Sequence, residues 1–241
     1  MSSNNTEEAV LPEKITDMYI LGHGCLMILS YVVFIKIAIF SAMACKKHVF
    51  DNDKKWFLLH KSLNLVSAVL VIIGIILSFK AANWLFLGTV KTSTSIPSST
   101  VSVKLHANFG IAVFSLTLFQ VILGFLRPKL QSNFRVIFNG VHTLIGSITM
   151  GLSSYCLYSG LILSRYGSWS WLTTIFFAYV AIETCMFLGL KWLFVGERFR
   201  SKVIFYCYFG ICAITGIILI AGLTSGTGFV NISCKYRECL W

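Results

Sequence analysis

The stretch FNGVHTLIGSITMGLSSYCLYSGLIL, Phe138 to Leu163, decides the fold. It contains no Lys, Arg, Asp or Glu. It is longer than the ~20 apolar residues a helix needs to cross a ~30 Å hydrocarbon layer, where each backbone N–H and C=O must be satisfied within the segment itself. One histidine, His142, stands near its start, and Gly146 follows four residues later on the same helix face. Taken alone, an imidazole there reads more readily as an interfacial polar side chain than as a ligand.

Five more apolar runs flank this one: Met18 to Met43, Phe57 to Phe79, Leu105 to Leu126, Trp169 to Val195 and Val203 to Leu223. Of the 241 residues, 56% are hydrophobic and 12% charged, about half the charged share of a soluble domain, and mean hydropathy is +0.79. The pattern predicts an all-α integral membrane protein of six transmembrane helices. Its membrane domain covers 18–223, with an exoplasmic N-terminal tail, 1–17, and an exoplasmic C-terminal tail, 224–241. Those tails and the loops are too short to bury a core of their own. Glu7, Glu8, Glu13 and Asp17 against Lys14 give the first segment the wrong charge for a cleaved signal, so the first span is expected to stay as an anchor.

Sidedness follows from loop charge. The first, third and fifth loops carry ten basic residues, among them Lys54, Lys55, Arg127 and Arg135, against seven on the other face. That places these loops in the cytoplasm. The sequons at Asn4 and Asn231 both fall in the tails thereby assigned outside. The formal charge of +11 is explained by basic loops beside anionic membrane lipid, and nucleic acid is not an expected partner. Among the cysteines, Cys45 suits palmitoylation, and Cys234 with Cys239 could form an exoplasmic disulfide.

His142 is one of four. His23, His60 and His106 stand at the corresponding place near the start of the first three spans. Successive spans run in opposite directions, so His23 pairs with His106 at the outer side and His60 with His142 at the inner. Two pairs at two depths reverse the reading of a single histidine, because ionisable groups inside a span are costly and tend to mark function. A structural zinc site wants four protein ligands, whereas each pair offers two imidazoles. Haem supplies four nitrogens of its own and accepts two axial histidines. That leaves no open position for chemistry at iron, which points to electron transfer. Gly110 follows His106 as Gly146 follows His142, and each leaves room for a flat macrocycle or, equally, for close helix packing. Haems one turn inside the layer would place their irons roughly 20 Å apart.

These residues resemble the cytochrome b561 family, and within it the ferric-chelate reductase branch. The matching words are His23-Gly24-Cys25-Leu26-Met27, Trp56-Phe57-Leu58-Leu59-His60, Leu105-His106 with Gly110, Phe119-Gln120, Arg127-Pro128, and Phe138-Asn139-Gly140-Val141-His142 with Gly146. The resemblance implies a four-helix core with two b haems. Cytosolic ascorbate would be the donor, and ferric iron or monodehydroascorbate radical the exoplasmic acceptor. It places the chain in a plasma membrane or an endolysosomal or vesicle membrane, and a homodimer is compatible with it. The extracellular domains many members of the branch carry before the core are not expected here, and both additional helices follow the core.

Lys55, Arg127 and Arg135, with Lys61, crowd the cytoplasmic mouth, where they could hold ascorbate or a haem propionate as readily as anchor the loops. Lys104 could do the same for the outer haem. Gln120, Asn64 and Asn139 are candidates for orienting ligands or for bonding helix to helix. Lys36 is expected to snorkel to the inner surface, and Glu183, near the middle of the fifth span, to be protonated or paired. Two other classes stay open: a transporter or channel lined by intramembrane ionisable residues, and a haem-free membrane scaffold.

Overall fold

The computed structural model describes residues 13–44, 53–87, 103–129, 131–163, 171–193 and 198–225. Both sequons, Cys45, Cys234, Cys239 and Trp169 lie outside the described residues, as does most of both expected tails. All described elements are helical: α1 (Glu13–Ile28), a π-helical stretch (Leu29–Phe34), α2 (Ile35–Ala44), α3 (Asp53–Ala81), α4 (Val103–Phe125), α5 (Phe134–Leu163), α6 (Trp171–Leu193) and α7 (Arg198–Ser225).

The first three run on without a break as one span, Ile15–Met43. With α3, α4, α5 and α7 this gives five helices long and apolar enough to cross a membrane, so the chain is a multi-pass all-α membrane protein. The expected fifth span is the helix α6, apolar over Trp171–Phe187, a shorter stretch than the other five.

Local chemistry closes the helix ends. α3 stops in a Schellman motif: the Trp84 N–H reaches Phe79 O at 2.7 Å and the Asn83 N–H reaches Lys80 O at 3.1 Å. Asn83, at φ 49°, stands where glycine is usual, a conformation asparagine tolerates. Trp84 leaves its indole exposed, as an interfacial residue would. α5 begins with the Phe134 N–H on Ser132 Oγ at 3.3 Å, which satisfies one of the amides a helix start leaves over.

α1 packs along α3, and α4 along α5. These two antiparallel pairs form two layers that meet more sparingly, α3 against α4 and span one against α5. On its other side span one is covered by α7, which in turn carries α6. The first span is therefore the most enclosed of the five. A Cβ on Gly216 would lie 2.5 Å from Val33 Cγ2, and one on Gly24 2.8 Å from Leu223 Cδ2, so α7 reaches span one by the small-residue approach common between membrane helices. Ile122, Val136, Leu144 and Ile217 face outward, as lipid-facing residues do.

At mid-length the two layers close on a septum of Tyr31, Ile35, Val71 and Val113. The Thr117 hydroxyl donates to Val113 O at 2.8 Å. Tyr31 O–H, 2.8 Å from Thr117 Oγ1, is therefore the donor of the bond that ties the layers together.

Lys36 departs from its expected role. Its side chain does not snorkel: it is 7% exposed, with Nζ 2.6 Å from Glu183 Oε2 on α6. A carboxylate within direct reach compensates the ammonium better than a stretched path to the interface. Glu183 is paired, one of the two outcomes expected of it, and its other oxygen accepts Tyr208 O–H at 3.2 Å.

Candidate functional site

The four intramembrane histidines meet across the slot between the layers. His23 on α1 faces His106 on α4, and His60 on α3 faces His142 on α5, with ring centroids 6.3 Å apart in both cases. His23 lies beside Gly74, fourteen residues beyond His60 on α3, so the two pairs are separated by about 21 Å along the bundle. The His60 pair stands at the end that bears Lys55, Arg127 and Arg135. The His23 pair stands at the far end.

Hydrogen bonds fix three of the rings. The Nδ1–H of His23 donates to Gly74 O at 2.9 Å, and that of His60 to Ala38 O at 2.9 Å. His106 Nδ1 lies 2.8 Å from Ser159 Oγ. The Ser159 proton is already given to Cys156 O at 3.0 Å, so His106 is the donor there too. In all three the hydrogen is on Nδ1 and the lone pair is left on Nε2, the arrangement typical of metal-ligating histidines. His142 differs: its Nδ1 is buried without a protein partner among the described residues. Its ring is set instead by Phe138, stacked at 5.6 Å and 9°.

The geometry suits one metal ion per pair. A ring nitrogen lies roughly 1.1 Å from its ring centre and binds a metal at about 2 Å, so two imidazoles on opposite sides of one ion hold their centres roughly 6 Å apart. Among the described residues no group of three or more His, Cys, Asp or Glu could hold a bare ion. Each pair is thus suited to a metal that brings its remaining ligands with it. Gly110 is half-buried, yet a Cβ there would meet nothing within 4 Å, and at Gly146 it would meet only Gln120 Nε2 at 3.6 Å. Gly110 thus borders open space one turn from His106, while Gly146, one turn from His142, lies in ordinary contact with Gln120.

Gln120 donates to the His142 carbonyl at 2.8 Å and Asn64 to the His60 carbonyl at 2.7 Å, so both brace a histidine's helix. Asn139 is exposed three residues before His142.

The expected basic residues gather at one mouth. The Arg127 guanidinium lies 4.3 Å from the ring centre of Phe57 and 5.9 Å from that of Trp56. Lys61 Nζ lies 5.3 Å above Phe125. Arg135 Nη1 donates to Pro128 O at 2.5 Å, which sets it beside Arg127. Partial burial and the neighbouring Arg135 lower the pKa of Arg127, though a guanidinium stays charged. Two such cations held together attract an anion. Lys55 is exposed at the start of α3, and Lys104 is exposed at the far end, two residues before His106.

Sequence reasoning missed Ser159 and the carbonyls of Gly74 and Ala38. A serine inside a span, next to Gly160 whose added Cβ would meet His106 Cε1 at 3.4 Å, was the one available signal. The backbone acceptors carry none.

The sequence pattern of eukaryotic cytochrome b561 matches residues 22–166, from His23 through Ser159. A cytochrome b561 and DOMON domain-containing protein of Arabidopsis thaliana is 29% identical over 185 residues, 73% of this chain and 40% of the relative. Proteins titled "Putative ferric-chelate reductase 1" are similar at 25% identity in Danio rerio, over 76% of this chain and 30% of theirs, and at 23% in Xenopus laevis, over 58% and 22%. The chain spans less than half the length of each of these curated relatives. No solved structure matches it.

Proposed function

The chain belongs to the eukaryotic cytochrome b561 family, and from that premise we propose that it carries electrons across a membrane, from cytosolic ascorbate to an exoplasmic acceptor such as ferric iron or monodehydroascorbate radical. The observation that carries this reading is the meeting of four histidines as two facing pairs at two depths, each at the spacing of a shared metal.

In this reading His60 with His142 and His23 with His106 would each hold one haem b, beside Gly146 and Gly110. Such a group would supply reversible one-electron chemistry. The chain's own residues do the rest. Gly74 O, Ala38 O and Ser159 Oγ hold three imidazoles in the tautomer that presents Nε2. The layers exclude water between the two levels. Lys55, Arg127 and Arg135 draw the ascorbate anion to the cytosolic mouth, and Lys104 gives the opposite mouth a positive charge. The basic mouth is cytosolic and both termini exoplasmic, with α6 as a sixth span. The names of the vertebrate relatives support ferric iron as acceptor.

The decisive experiment combines a pyridine haemochromogen assay with single His→Ala variants of the full-length protein. Two haems per chain are expected. His60→Ala and His142→Ala should remove the same spectral component, and His23→Ala and His106→Ala the other. A folded protein without haem overturns the proposal. His23→Ala behaving as His60→Ala does would overturn the pairing.

A further inference from the structure

Three of the contacts that span one makes with α6 and α7 recur at every fourth residue. The Val32 carbonyl accepts Tyr179 O–H at 3.0 Å. Lys36 Nζ meets Glu183 Oε2 at 2.6 Å. Phe40 stacks on Tyr208 with centroids 4.2 Å apart at 17°. This spacing puts the three contacts on one face of the span. Tyr208 serves two of them, since its hydroxyl also donates to Glu183 Oε1.

Ala38, two residues after Lys36 and so turned by roughly 200°, belongs to the other side. Its carbonyl accepts both the His60 Nδ1–H at 2.9 Å and the Ser41 hydroxyl at 2.8 Å. α2 is therefore held between α6 and α7 on one side and a ring of the histidine site on the other.

A buried ion pair is a poor source of net stability, because removing two charges from water costs about what their attraction returns. Its better-attested use is to fix a register. Sliding α2 by one residue would move Lys36 by about 1.5 Å along the axis and 100° around it, leaving Glu183 buried and unpaired. The same slide would carry the Ala38 carbonyl away from His60.

We propose that α6 and α7 position the imidazole of His60, with Glu183, Lys36 and Tyr208 acting on α2, and Tyr179 acting on the π-helical stretch that leads into it, setting the register that presents the Ala38 carbonyl to His60 Nδ1–H. The four are positioning residues. The inference rests on the preceding section only in taking His60 as a ligand.

The test uses full-length protein labelled with 15N-histidine in nanodiscs, with His60 and His106 assigned by single substitution. Glu183→Gln, Tyr208→Phe and the double variant Lys36→Met with Glu183→Met are compared with the parent. Tyr208→Phe keeps the stacked ring and removes one hydroxyl, so it tests the idea even where the charge variants do not fold. In the folded variants the hydrogen-bonded Nδ1 signal of His60 should be lost or shifted while that of His106 stays. Retention of haem at the His60 pair should fall about tenfold, and at the His23 pair not at all. Folded variants with an unchanged His60 signal overturn the proposal, as does equal loosening of both histidines. A parent protein that binds no haem would sink the electron-transfer reading, yet the comparison of the His60 signal would still decide this one.

Discussion

His106 owes its orientation to a serine whose own proton is committed elsewhere. Ser159 Oγ accepts from the imidazole because it donates to Cys156 O. Ser159→Ala therefore leaves a buried N–H without an acceptor, at a cost of about 1–3 kcal/mol. Haem retention at the far-end pair should fall about tenfold, measured as transfer to apomyoglobin, with the other pair unaffected; equal loss from both would refute the assignment. At this scale the four histidines were legible and their supports were not. A histidine inside an apolar span announces itself, and four at matched positions announce a pattern. The acceptors of His23 and His60 are main-chain oxygens of Gly74 and Ala38, and every residue has such an oxygen.

The π-helical stretch Leu29–Phe34 lies between the part of span one that bears His23 and the part that bears Lys36 and Ala38. A π turn holds one residue more than an α turn. Deleting one residue within it should restore α geometry and leave the two parts in nearly their present phase, because the residue removed is the extra one. With Lys36 and Ala38 anchored, His23 would then keep both Gly74 and His106. Both spectral components should persist; loss of the far-end component alone would show that the wide turn itself holds His23 in place. The run Met18 to Met43 read correctly as one span but concealed this feature. It has no Gly or Pro between Leu29 and Phe34, and a helix apolar on every face gives periodicity nothing to register. Lys36 and Glu183 were visible as costly residues. Their meeting was hidden because partners 147 positions apart in sequence leave no spacing to read.

For the molecule as a whole, apolar length and antiparallel alternation carried the fold: five spans fall where the sequence put them, and the rings of His23 and His106, and of His60 and His142, face each other. The central place of span one was not legible, since all the spans are apolar and only packing distinguishes the enclosed one. The basic mouth makes sidedness testable in sealed vesicles of known orientation. Ferric reduction outside should require ascorbate on the side of Lys55 and Arg127. Its rate should fall as salt rises, because attraction between exposed charges is screened beyond about 10 Å at 0.1 M. Equal rates with ascorbate on either side would contradict the route. The septum at mid-length has a further consequence. Tyr31, Val71 and Val113 are at most 3% exposed, and apolar packing that tight is a poor conductor for a counter-ion. Along the proposed route each electron sent outward would be uncompensated, and the protein would act as one plate-to-plate connection of a capacitor. An interior-negative voltage would assist that discharge by about 2.3 kcal/mol per electron for each 100 mV, making the resting polarisation of the membrane part of the driving force.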